Sequence, residues 1–529
     1  MNRRMMLKAA TATSLLTAAG SVLGKSRQRA ATAQEASPAA PYSLRFDREN
    51  YTVETKRVTT DRGDVVVTYR LYAAIPYVRY PVDIAYQSLN VLEPVAVNDL
   101  AVDASNAPIL FSNSVGGYMS SPVTGSDAAW GMGGPGGLQG APHGTPPDGA
   151  QNGVPSGNAA MVRDGQRVSN ADLALAAGYV VVAPGARGRD NVAADGTFSG
   201  KAPAAIADLK AAARYVHANA GVMPGNPEWL ISSGVSAGGA LSALLGASAE
   251  SNLYAPYLEE LGAADASDAF FAVASFCPIT DLEHADMAYE WLFGPQPLRD
   301  VGETVDQALS EALSDQFPEY LASLDLKRPD GITSLTGETY GQYLVQAFLI
   351  PSATNYLTEL DEAARTSYLA ANPWITWANG VASFDFADFQ DHIGRSKNVP
   401  AFDALDLSSG ENGLFGNETT DARHFTEFSL REATGATALD ADLPEKILLM
   451  NPMAFLGTAP NAARTKHWWL RVGTSDTDTS LSIVGNLAAA LGALGDDVNA
   501  WMYWDAGHGA NEDAPQLMTW IADITGYAR

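Results

Sequence analysis

The chain has 529 residues, 46% of them hydrophobic and 18% charged, with 60 acidic against 33 basic side chains and a formal net charge of −27. That length exceeds one ordinary core, so one elaborated domain or two are expected, and the composition is that of a packed globular chain rather than a disordered one. A field of this sign repels nucleic acid and anionic lipid, which excludes both as partners and leaves the substrate open.

The first residues stand apart from the rest. Arg3-Arg4 and Lys8 precede an Ala/Thr/Leu-rich stretch over residues 9–23, and Ala31-Thr32-Ala33 offers a small-residue cleavage site. Residues 1–33 are therefore expected to be a signal of the twin-arginine type, read by the twin-arginine export machinery, with the mature protein periplasmic or extracellular. This segment holds six basic and no acidic side chains, so its removal takes the charge to −33. From Asp47 onward no run approaches the ~20 apolar residues of a membrane helix. Oligomeric state is not legible.

In chain order, residues 42–72 read as an opening antiparallel strand pair, and Ser88–Pro94 as a further strand. Ala107–Phe111 is an apolar run that stops at the glycine turn Gly116-Gly117. A Gly/Pro/Ser-rich stretch over residues 120–157 is too long for a plain connector and reads as a flap or binding loop. Gly178–Pro184, Glu228–Ser233 and Ala269–Phe276 read as buried strands, and Ala204–Ala218 and Ala237–Ala249 as helices. Over 281–466 the pattern changes to helical segments such as Thr304–Leu321 and Tyr340–Ile350, predicting an inserted, largely helical lid domain. Alternation then resumes with a strand at His467–Val472, a helix at Leu481–Leu494, a strand at Val498–Trp504 and a closing helix at Pro515–Tyr527. The expected architecture is a mostly parallel sheet covered by helices on both faces, in two parts, 42–280 and 467–529, around the insertion.

Cys277 is the only cysteine, so no internal disulfide can form. It lies in an apolar strand pattern, Val273–Pro278, that predicts a buried, inert thiol.

Gly234-Val235-Ser236-Ala237-Gly238 lies between a predicted strand and an Ala-rich helix, the context in which Gly-x-Ser-x-Gly forms a nucleophile turn of the α/β-hydrolase type. A serine hydroxyl needs a neighbouring base to become nucleophilic. In this fold that base is a histidine C-terminal to the serine, after an acid. Of seven histidines, five follow Ser236. His284, His392 and His424 fall in the insertion, and His467 opens a strand. His508, in a glycine loop after the last strand, is the choice. The orienting acid is expected at the end of the preceding strand, where Asp476 is preferred to Asp478; a helix N-cap is the plain alternative for Asp478. The tetrahedral oxyanion needs backbone N–H donors. Ala237 supplies one and the Gly116-Gly117 turn the other, with the choice between those two glycines open. No histidine pair has metal-ligand spacing, and no metal or organic cofactor is implied.

Five segments carry a further likeness: Tyr86–Val91, Asn113–Tyr118, Pro184–Arg189, Gly234–Gly239 and Cys277–Asp281. In this order they resemble the bacterial tannases, the tannin acyl hydrolases, over most of the chain after the leader. The resemblance implies cleavage of galloyl esters, the three ring hydroxyls being held by a lysine and a glutamate of the lid and an aspartate two residues beyond the catalytic one. The matching positions are Lys397 in Lys397–Asp403, Glu411 in Ser409–Gly416, and Asp478. Without the family, Lys397 and Glu411 read as ordinary surface charges. The 120–157 stretch is longer than the family core requires, so alcohol-side selectivity is expected to differ.

The expected function is hydrolysis of a small aromatic ester by a serine esterase. Related enzymes include feruloyl-type esterases, which make a feruloyl or other aromatic ester the alternative substrate. A serine peptidase of similar fold and a non-catalytic binding protein on a hydrolase scaffold are more distant alternatives.

Overall fold

The computed structural model describes residues 40–123, 159–161, 167–299, 301–328, 331–457 and 461–528. The predicted leader, residues 1–33, and positions 124–157 of the Gly/Pro/Ser-rich stretch lie outside the described residues.

Runs of Val, Ile and Leu buried on both faces can only be strands inside a covered sheet. Val180–Pro184 (β5), Leu230–Val235 (β6) and Ala272–Phe276 (β7) are such runs, buried at every position. They join Thr52–Thr60 (β1), Gly63–Pro76 (β2), Ser88–Val97 (β3), Ile109–Ser112 (β4), His467–Gly473 (β8) and Asp497–Tyr503 (β9) in one sheet. The spatial order is β1-β2-β3-β5-β4-β6-β7-β8-β9, and the two-residue strand Leu100–Ala101 pairs with β3 to complete ten strands. Pairing is antiparallel from β1 to β5 and parallel from β5 to β9. Helices Ala204–Ala218, Ala237–Ala247 and Leu481–Ala493 present almost entirely buried, Ala- and Leu-rich surfaces between the strands they connect.

Residues between β7 and β8 form the helical insertion, within the single compact unit Tyr42–Arg529. Two of its predicted helices are broken where prolines fall. The segment predicted as Thr304–Leu321 divides into Gln307–Ser314 and Phe317–Ser323, with Pro318 in the first turn of the second, where its missing N–H costs nothing. Tyr340–Ile350 is the middle of a longer run. It passes from Gly337–Leu344 through the wide π turn Val345–Leu349 into Ile350–Glu359. Pro351 opens that last helix, and its lack of a donor matches the loosened turn before it. The insertion also holds a hairpin, Thr376–Ala378 with Val381–Ser383. Asn379 and Gly380 at its tip have φ of 54° and 77°, the backbone that an Asn-Gly turn supplies.

The chain turns out of β4, β6, β8 and β9 at the same, carboxyl edge of the parallel sheet, the edge where open α/β sheets place their ligands.

Candidate active site

β6 ends at Val235, and Ser236 then takes φ 60° and ψ −125° before the helix Ala237–Ala247 starts. A non-glycine residue in this region is strained by about 1–3 kcal/mol and persists only where its surroundings force it. The surroundings are glycines in close approach. A Cβ on Gly234 would lie 2.3 Å from the Gly238 carbonyl oxygen, one on Gly238 2.7 Å from the Val115 oxygen, and one on Gly239 2.4 Å from the Phe276 oxygen. Ser236 is pinned further by its own N–H, which donates to the Phe276 carbonyl at 3.0 Å. The Ala237 amide opens the following helix, where N–H groups have no acceptor within the helix.

The Oγ of Ser236 lies 2.9 Å from Nε2 of His508, and Nδ1 of His508 lies 2.9 Å from Oδ2 of Asp476. The loops after β8 and β9 bring these groups together. A Cβ on Gly473 would sit 2.0 Å from the Ala506 oxygen, so only glycine lets the loops touch. Ser475 N–H donates to Ala506 O at 3.0 Å, and Asp505 N–H to Thr474 Oγ1 at 2.8 Å. Burial opposes charge on His508, but the Asp476 carboxylate, followed by the Cys277 sulfur, overcomes it and raises the imidazole well above its ordinary 6.5. Asp478 Oδ2 stands 3.8 Å from the same Nδ1, with its side chain 46% exposed where that of Asp476 is fully buried. Asp478 does not cap the next helix; Ser480 does, accepting from Ser482 N–H at 3.3 Å.

Cys277 is buried just past the end of β7, with Sγ 4.0 Å from His508 Nε2. Sequence periodicity gave its burial and not this neighbour. Ligand atoms of Cys277, Asp476 and His508 lie within 4.8 Å of one another, the one such set among the described residues that could hold a metal ion. Its imidazole nitrogens are already engaged by Ser236 and Asp476. The remaining histidines after Ser236 pair elsewhere: His284 with Asp281, His392 with Asp505, His424 with Asp403 and His467 with Asp497.

The turn after β4 rests on the start of the Ala237 helix. Asn113 N–H donates to Ser233 O at 2.9 Å, and its side-chain amide donates to Gly238 O at 3.0 Å. Asn113 Oδ1 takes the Val115 N–H at 3.1 Å. The next two amides, of Gly116 and Gly117, have no acceptor among the described residues. Arg189 holds the far side of the turn, its Nε donating to Gly117 O and its N–H to Tyr118 O, both at 2.9 Å.

The structure brings the Lys397 segment against the acid loop. Ser396 Oγ donates to Thr477 O at 3.2 Å, and the buried Tyr289 hydroxyl joins Thr477 O to the Lys397 amide. Lys397 Nζ lies 4.1 Å from the Phe402 ring centre. Glu411 sits in the short helix Gly410–Leu414, on the side of the Gly116-Gly117 turn. The Arg189 guanidinium packs 3.2 Å from where a Gly410 Cβ would be, and the Glu411 charge adds to burial in raising the Tyr118 hydroxyl.

Two buried carboxylates, neither singled out from the sequence, hold these segments. Asp403 accepts from Asn412 Nδ2 at 2.7 Å, from His424 at 2.8 Å and from the amides of Phe425 and Thr426 at 2.9 and 2.7 Å. Asp286 accepts the amides of Phe402 and Asp403 at 2.7 and 3.0 Å, and burial raises its carboxyl to about 7. Arg395, fully buried, forms a two-pronged pair with Glu290 at 2.7 and 2.8 Å.

Among known proteins, a family model described as BD-FAE matches residues 161–315. No curated protein sequence matches. Solved structures do. The tannin acyl hydrolase of Lactobacillus plantarum is 35% identical, with TM-score 0.75 over 91% of this chain and 98% of that one. The tannase of Fusobacterium nucleatum is 36% identical, with TM-score 0.74 over 91% of this chain and 99% of that one. A tannin acyl hydrolase in complex with ethyl gallate is 35% identical, with TM-score 0.74 over 91% and 98% of the two chains.

Proposed function

This chain belongs to the tannin acyl hydrolases, which are carboxylic ester hydrolases, and on that premise we propose that it cleaves galloyl esters through an acyl-enzyme on Ser236. The single observation that carries the reading is the relay from Asp476 through His508 to Ser236, with both contacts at 2.9 Å.

Ser236 Oγ attacks the ester carbonyl while His508 Nε2 takes its proton. Asp476 holds the imidazole in the tautomer whose Nε2 can accept, and stabilises the imidazolium that forms. The oxyanion is held by the Ala237 amide and an amide of the Gly116-Gly117 turn, each donor contributing roughly 3–4 kcal/mol to the transition state. Collapse breaks the bond to the alcohol oxygen, which leaves with the proton from His508. Water then loses a proton to His508 and attacks the acyl-serine; the free acid departs and Ser236 regains its hydrogen.

Lys397, Glu411 and Asp478 face the acyl ring in this reading. A cation and two carboxylates suit the ring hydroxyls of a gallate, and a site built for such hydroxyls rejects rings that lack them by large factors. The relative solved with ethyl gallate supports this choice of acyl group. Residues 281–466 act as the lid that supplies Lys397 and Glu411. The Arg3-Arg4 pair and the apolar run behind it support export by the twin-arginine route.

Ser236→Ala is expected to lower kcat on methyl gallate by about 10⁴-fold or more, with the protein still folded. Undiminished hydrolysis by that variant overturns the mechanism. A wild-type protein inert toward all esters tested would favour the binding role.

A further inference from the structure

We propose that Tyr289 is the positioning residue that sets the spacing between Lys397 and the acid loop, and that its hydroxyl thereby tunes selectivity for ring hydroxyls. The proposal rests on the reading of Lys397 and Asp478 as contacts to the acyl ring.

Tyr289 lies on the helix Leu282–Phe293 and is fully buried. A phenol has one hydrogen to donate and two lone pairs, and here all are used. The hydroxyl donates to the Thr477 carbonyl at 2.9 Å and accepts the amides of Lys397 at 3.1 Å and Ser396 at 3.4 Å. Thr477 is the residue between Asp476 and Asp478. One oxygen atom therefore ties the peptide joining the two acids to the backbone of Lys397, some eighty residues earlier in the chain.

The ring cannot swing away. Phe293 lies 4.4 Å from it, centre to centre, and Phe402 meets it edge-on at 6.1 Å. The Arg395 guanidinium covers it at 5.5 Å and is itself locked by Glu290. Arg395 Nε also donates to the Lys397 carbonyl at 2.9 Å, so both ends of that residue are anchored to one buried cluster. Burial raises the phenol, which keeps its hydrogen for Thr477 at any working pH. A buried tyrosine needs only one partner to satisfy it. This one is shared between the two segments that bear the ring contacts, which is what a spacing device requires.

The test compares methyl gallate with p-nitrophenyl acetate, an activated ester that uses only the serine, the base and the oxyanion donors. Tyr289→Phe keeps the ring and removes the bridge. It is expected to raise KM for methyl gallate about tenfold while kcat/KM for p-nitrophenyl acetate changes less than about threefold. In a Lys397→Ala background the same change is expected to add less than about threefold to the gallate KM, because the residue it positions is gone. Equal losses on both esters, or no loss on gallate, overturn the proposal. A Lys397→Ala variant with unaltered gallate KM would instead refute the ring-contact reading, whereas a raised KM there beside an unaffected Tyr289→Phe refutes Tyr289 alone. If Tyr289→Phe does not fold, Ser396→Ala removes the parallel link to Thr477 from an exposed side chain. It should then show a smaller loss confined to gallate, and a loss on both esters counts against the proposal.

Discussion

The backbone amide of Asp478 donates to Oδ1 of Asp476 at 2.8 Å, leaving the other oxygen, Oδ2, to accept from His508. Two acids with one residue between them thus have different chemical positions: one is buried and hydrogen-bonded through both oxygens, the other half-exposed with its Oδ2 3.8 Å from the same Nδ1. Asp476→Asn is expected to lower kcat on every ester by roughly 10³–10⁴-fold, since the wrong imidazole tautomer is then favoured. Asp478→Asn should raise KM for methyl gallate with kcat for p-nitrophenyl acetate within a few-fold of wild type. Steady-state kinetics on both variants checks this, and reversed phenotypes would exchange the two roles.

The pH profile follows from the same pair. In the proposed mechanism the base is the neutral imidazole, and the surroundings of His508 raise its pKa well above 6.5, with Asp476 and then Cys277 overcoming the opposing effect of burial. kcat/KM should therefore climb as pH rises through that displaced value, with the midpoint of the acid limb above 6.5. Cys277→Ala removes one raising influence and should move the limb to lower pH. A wild-type midpoint at or below 6.5 would contradict the assignment.

Asp286 gives a stability effect of definite sign. Its carboxyl is raised from 3.8 to about 7, so the folded protein holds this proton more tightly than the unfolded chain does. The contribution is complete below the unfolded value and is lost as pH rises through about 7. Between about pH 5 and pH 8 the melting temperature of wild type should fall relative to that of Asp286→Asn. A gap that does not change with pH contradicts the burial of an ionisable carboxyl there.

Backbone contact at the serine turn predicts a contrast between two glycines. A Cβ on Gly239 meets the Phe276 carbonyl oxygen at 2.4 Å, whereas one on Gly492 meets nothing within 4 Å. Gly239→Ala should cost about 3 kcal/mol or more, because no side chain can yield. Gly492→Ala, inside the helix Leu481–Ala493, should be neutral or slightly stabilising. Thermal melts of the two variants test this, and equal shifts would contradict the packing.

That Ser236, Asp476 and His508 would lie together was legible in the sequence because each follows the end of a strand, and strand-turn-helix signals are local. The sheet was legible for the same reason: its buried strands are short apolar runs bounded by turns. Inside the insertion, the helical character was legible but the supports of the site were not. Lys397 and Glu411 are held by Asp403, Asp286, Arg395 and Tyr289, whose partners lie up to 188 residues away, and nothing local marks a buried charge or phenol as paired. Pro318, Pro351 and the Asn379-Gly380 pair mark the helix breaks and the hairpin, but the helical reading of the insertion runs through the first, stops short of the second and passes over the third. Cys277 was readable as buried, but its approach to His508 depends on how β7 and the loop after β9 meet in three dimensions.

The most direct test of the account is the ratio of kcat/KM for methyl gallate to that for methyl ferulate, measured on the purified wild-type protein. Lys397, Glu411 and Asp478 around a trihydroxylated ring predict a ratio of at least about 10²; a clear preference for ferulate would contradict the gallate assignment while leaving the serine mechanism intact.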